Sequence, residues 1–183
     1  ALGVNTPWEI TKTEFKEVDK TKELHIYIDF KRGSQFNDET KTPCGVHDTV
    51  EKTWRHLNFF QHACYLHCRV PRIKTKEGKV KLVEVPWSRA ESGFTLLFES
   101  YVMLLIESEM PVNKVARVVG ENAHRLWTIF NYWIKKAYQA DNPKAPNKLG
   151  LDETSQKKGH SYITLAVDLD ESCINYIKSQ TNC

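Results

Sequence analysis

The chain has 183 residues, 40% of them hydrophobic and 27% charged, which is enough apolar material for one or two small domains with a core and excludes disordered or collagen-like structure. Its longest strongly apolar run, Tyr101 to Ile106, lies between Glu99 and Glu107 and is too short to cross a bilayer. The net charge of +3 is unevenly spread, with −2 over residues 1–40, +6 over residues 41–90 and −1 over residues 91–183, and such a local positive field is what a polyanion-binding face requires.

In chain order, Trp8 to Val18 is rich in Ile, Thr, Phe and Val, and Leu24, Ile26, Ile28 and Phe30 alternate with His25, Tyr27 and Asp29, so the two segments are expected to form a hairpin. Residues 31–49 carry Gly33, Ser34, Asn37, Asp38, Pro43 and Gly45 and are expected to be loop or knuckle. Strand character returns at Thr53, and Cys64, Leu66, Cys68 and Val70 alternate with Tyr65, His67 and Arg69; Glu77-Gly78 then turns into Lys79 to Val85. From Phe94 the apolar residues recur at three and four residue steps, the period of a helix. Pro111 breaks it, a second helix runs to Gly120, and a third spans about Asn122 to Tyr138. DNPKAPNK has the composition of a linker, and Leu149 to Glu153 and Tyr162 to Leu169 are strand-like. The reading is α+β, with a β-rich module over 1–88, a helical region over 90–140, a linker over 141–147 and a hairpin within 148–183.

The spacing in PVNKVARVVGENAHRLWTIF predicts a helix-turn-helix: a small Ala116 lets the helices cross closely, Gly120 permits the turn, and Leu126 and Ile129 pin the second helix to the core. Asn122, His124, Arg125 and Thr128 are then the side chains placed to read base edges, and Lys114, Arg117, Lys135 and Lys136 those placed to hold phosphates. An ordinary helix pair with a solvated basic face would show the same alanine-to-glycine spacing. A second basic stripe, Arg69, Arg72, Lys74, Lys76, Lys79 and Lys81, has the character of a solvated hairpin taken alone.

Five cysteines, three of them between Cys44 and Cys68, with no secretory signal in ALGVNTPWEI, argue for reduced thiols and a cytoplasmic protein. Cys44 and His47 have the two-residue gap of a tetrahedral zinc half-site, whereas Cys64 and Cys68 on one strand lie on the order of 13 Å apart and cannot share a metal without a bend.

Three stretches, CGVHDTVEKTWRHLNFFQHACYLHCRVPR, VEVPWSRAESGFTLLFE and LGLDETSQKKGHSYITLAVDLD, together resemble the bacterial insertion-sequence transposases of the ISL-three family. The resemblance implies a zinc-ribbon-like N-terminal module, a helix-turn-helix and the first hairpin of an RNase H-like DDE catalytic domain. It also implies double-stranded DNA at the element's ends as partner, in a cytoplasmic, nucleoid-associated bacterial protein. Asp152 falls at the family's first catalytic carboxylate, a magnesium ligand in the complete domain. Family members carry cysteine pairs where this chain reads FNDETK and IKTKEGK, so Cys44 and His47 are expected to be remnants of a degenerate zinc site. The family's second Asp and its Glu are absent from the 183 residues, so a DNA-binding but catalytically incomplete portion is expected. A small repressor of transposition, a decayed fragment, and an enzyme completed by a second chain or a homodimer are the alternatives. If the last two strands turn at Lys157-Lys158, Asp152 faces Ile163 and Asp168 lies five residues further on, on the order of 16 Å away, too far for a shared metal pair. Such a hairpin is expected to leave Ile163, Leu165 and Val167 uncovered.

Overall fold

The computed structural model describes residues 3–140, 147–157, 161–170 and 173–181. In order these form β1 (Trp8–Val18), β2 (Thr21–Phe30), β3 (Gln35–Asn37), β4 (Pro43–Phe59), β5 (His62–Lys74), β6 (Val80–Leu82), α1 (Leu96–Glu107), α2 (Val112–Val119), α3 (Ala123–Ala140), β7 (Leu149–Lys157), β8 (Ser161–Asp168) and β9 (Cys173–Thr181). Two compact units result, Ala1–Tyr132 and Trp133–Cys183. The mixed α+β class is the expected one. Among the described residues no helix is long and apolar enough to cross a membrane. The proposed linker lies, except for Asn147, outside the described residues.

In the first unit, β1 and β2 form the expected hairpin around Asp19-Lys20, both in the left-handed region (φ 48° and 66°), as a two-residue turn matched to strand twist requires. A second hairpin joins β4 to β5, and the two hairpins meet in parallel along β2 and β5, from Glu23 opposite Ala63 to Ile28 opposite Cys68. The six-stranded sheet has the order β1-β2-β5-β4-β3, with β6 on the end of β5. This corrects the loop expected over 31–49: β3 and the first seven residues of β4 lie within it. Its Pro43 stands at the start of a strand, where a missing N–H is tolerated, and a bulge between Val46 and Asp48 absorbs the irregular spacing.

One face of the sheet is packed by Ile26, Ile28, Trp54, Leu66 and Val70, and closed by Trp8 and Trp87, whose rings meet edge to face at 5.1 Å. Cys44, Cys64 and Cys68 are free thiols buried in this core. The segment after β6 returns Trp87 to the sheet and hands the chain to α1: Arg55 N–H donates to Gly93 O (2.9 Å), and Thr95 N–H donates to Arg55 O (3.0 Å). Glu99, fully buried on α1, is answered by Arg89 Nε at 3.0 Å and Ser92 Oγ at 2.6 Å, so its charge is compensated from that same segment.

The second unit holds a three-stranded antiparallel sheet, β7-β8-β9, where a two-stranded hairpin was expected. β9 takes up the free edge of β8, and Ile163, Leu165 and Val167, expected to be bare, are half-buried. The register also differs. Asp152 pairs with Leu165, not Ile163, because Lys157 is still in the strand and pairs with Ser161; a bulge lies between Ser155 and Lys157.

Candidate nucleic-acid interface

Helix α2 buries Val112, Val115, Ala116 and Val119, one stripe at helical spacing, and leaves Lys114 and Arg117 exposed on the other side. It ends at Gly120, whose φ of 70° is the left-handed value that glycine adopts freely, and the N–H of Glu121 returns to Ala116 O at 2.9 Å, closing the last turn. Helix α3 opens on Asn122, whose Oδ1 accepts the N–H of His124 at 2.8 Å as an N-cap does. Leu126 and Ile129 are fully buried. Gly120 therefore makes the expected turn, and Ala116, Leu126 and Ile129 are buried.

The side chains expected to read bases divide. His124 and Thr128 are exposed on one face of α3, and Thr128 Oγ1 donates its proton to Arg125 O (2.6 Å), so toward a partner it offers lone pairs. Asn122 is exposed, but its amide oxygen is engaged in the cap. Arg125 is 48% exposed and bound to Glu121 (2.6 Å), with its guanidinium 4.3 Å above the Phe94 ring. Asn131, exposed three residues beyond Thr128, and Trp127, 45% exposed, were not singled out from the sequence. The four and three residue steps from His124 through Thr128 to Asn131 are the signal that identifies the first of them. Lys135 and Lys136 are exposed on the later turns of α3, past the end of the first unit.

The turn is held to the sheet by Arg55. This β4 residue is 3% exposed, and its guanidinium donates to the carbonyls of Val119 (3.3 Å), Cys64 (3.2 Å) and His56 and to Asn58, with Nε 3.6 Å from Glu121. Burial lowers its pKa, and Tyr65 and Glu121 oppose that shift. Of the second basic stripe, Arg69 is paired with Asp29, Arg72 with Asp48, Lys79 with Glu77 and Lys81 with Glu39, so much of its charge is neutralised locally.

The metal candidates are not assembled. Cys44 Sγ lies in the core, 3.5 Å from Thr42 O, while His47 is exposed on the same strand, and among the described residues no three His, Cys, Asp or Glu side chains converge. The donors present do not fit a tetrahedral zinc ion, which needs four. Asp152 is exposed on β7, and Asp168, buried on β8, pairs with Leu149. Three positions separate the two along the sheet, not five, roughly 10 Å, and the odd offset places them on opposite faces. They are not a metal-binding pair.

Helices α2 and α3 thus form a capped, glycine-turned helix pair whose turn is held to the sheet by Arg55. Residues 83–134 match the helix-turn-helix domain of transposase family ISL3. It is also 26% identical over 121 residues to proteins named "Transposase for insertion sequence element IS1557" from two strains of Mycobacterium tuberculosis, CDC 1551 / Oshkosh and ATCC 25618 / H37Rv. The match covers 65% of this chain and 27% of each relative, so the chain spans about a quarter of their length. No solved structure matches.

Proposed function

We propose that this chain is a DNA-binding portion of a DDE transposase and recognises the ends of its own insertion sequence. The observation that carries the reading is the exposed polar face of α3 at His124, Thr128 and Asn131, on a helix pair whose turn is locked to the sheet, with Lys114 and Arg117 on α2 for the phosphates. The sheet of β7 to β9 is proposed to open an RNase H-like catalytic domain, with Asp152 as its first carboxylate and magnesium as its ion once further carboxylates are supplied. In this reading Asp152 needs further carboxylates before any strand is cut, and residues 1–183 are proposed to bind DNA without cutting it.

The test is fluorescence anisotropy of the purified chain against duplex from the flanks of its own gene and against random duplex, across a salt series. A preference for the flanks that survives physiological salt is expected. Equal, salt-sensitive binding to both duplexes overturns end recognition and leaves a basic surface.

A further inference from the structure

Arg125 stands in the first turn of α3, where a helix-turn-helix presents side chains to base edges, yet its guanidinium is turned back onto the protein. Nη1 lies 2.6 Å from Glu121 Oε2, the group stacks 4.3 Å above Phe94, and Nη2 occupies space 3.3 Å from where a Cβ on Gly93 would stand. The other oxygen of Glu121, Oε1, faces Arg55 Nε at 3.6 Å. Glu121 is 8% exposed and Arg55 3%, so one shielded carboxylate is shared between an arginine rooted in β4 and an arginine on α3.

The root is firm on both sides. The backbone of Arg55 exchanges hydrogen bonds with Gly93 and Thr95, and its guanidinium donates to Val119 O at the end of α2. Swinging Arg125 out to a guanine would break a short charge-assisted bond, unstack a ring and strip a nearly buried carboxylate of its closer cation. His124, Thr128 and Asn131 carry no such ties to the sheet and lie on one exposed stripe.

We infer that Arg125 is a positioning residue that fixes the first turn of α3 against β4 through Glu121 and Arg55, and that base reading falls to His124, Thr128 and Asn131. The inference rests on the DNA-binding reading above and assigns the roles within it.

The experiment uses the full chain and a duplex library with a randomised core, sequencing the bound fraction for wild type, Arg125→Gln, Arg125→Lys, Glu121→Gln, the Glu121→Gln/Arg125→Gln double variant and Asn131→Ala. Wild type is expected to enrich one motif, and Asn131→Ala to flatten one or two neighbouring positions of it. Arg125→Gln and Glu121→Gln are expected to keep every position of the motif while weakening all sequences alike, on the order of tenfold. The double variant loses no more than the stronger single, and Arg125→Lys behaves as Arg125→Gln, because an ammonium cannot supply the fork and the stack. If Arg125→Gln erases one motif position that Glu121→Gln retains, the positioning role is overturned and DNA binding stands. If wild type enriches no motif, the DNA-reading function itself fails and this inference with it. Thermal melts establish that each variant is folded at the assay temperature; should Glu121→Gln melt below it, the Arg125→Gln profile decides alone.

Discussion

His56 on β4 and Thr95 at the head of α1 are joined by a hydrogen bond: the Thr95 hydroxyl lies 2.8 Å from His56 Nδ1 while the same oxygen accepts the N–H of Phe98. Burial, together with the nearby Arg55 charge, holds the His56 pKa down at about 4. An unfolded chain takes up a proton at His56 near pH 6.5 and the folded one only near 4, so the contribution to stability is full above 6.5 and is lost as pH falls between those values. For this half-buried group the loss is on the order of 2 to 3 kcal/mol. A wild-type melting temperature that drops across this window, with a shallower drop in His56→Gln, is expected; parallel curves would refute the linkage.

Burial pushes the thiols of Cys64 and Cys68 up to about 11 and about 12. Thiolate is the reactive form, so both are expected to resist iodoacetamide at pH 8 until the sheet unfolds, and mass spectrometry of peptides from briefly treated protein reads this directly. Prompt native labelling of Cys68 would contradict its placement. The same shifts make the fold lose stability as pH rises above about 9, where unfolded thiols ionise and folded ones do not.

The turn between α2 and α3 depends on Gly120. Added methyl carbon meets nothing within 4 Å there, so Gly120→Ala costs backbone strain alone, about 1 to 2 kcal/mol in a denaturant titration. Gly120→Asn is expected to cost less, since asparagine tolerates the left-handed region; equal costs would point to packing instead.

On DNA, Lys114→Ala and Asn131→Ala should differ in kind. The lysine variant is expected to weaken cognate and random duplex together and to reduce the salt slope by about 1, and the asparagine variant to lose about 1 to 3 kcal/mol of preference on cognate duplex. Anisotropy titrations at several salt concentrations separate the two. An unchanged salt slope in Lys114→Ala would remove α2 from the phosphate contacts.

The period of two in residues 24–30 and 64–70 and the spacing of Ala116, Gly120, Leu126 and Ile129 are local patterns, and both survive in the fold. What joins them is not local. Nothing in either hairpin announces that β2 and β5 run parallel, since β2 is flanked by partners whose apolar residues alternate in the same way. The loop reading of 31–49 rested on glycine, proline and aspartate, which also serve bulges and strand starts. Arg55 was invisible as an anchor because an arginine within a strand reads as solvated. Only the tertiary approach of the α2–α3 turn gives it carbonyls and Glu121 to hold. Arg125 was legible as exposed and basic, but not as stacked on Phe94, thirty-one positions earlier.

The parallel seam between β2 and β5 also sets an order on synthesis. Glu23 meets Ala63, forty residues later, so the first hairpin emerges with Ile26 and Ile28 lacking the strand that will lie beside them. At 5 to 20 residues per second that wait is roughly 2 to 8 s, far longer than a hairpin takes to form. The nascent chain thus carries a bare apolar ribbon through the interval in which α2 and α3 have not yet been made.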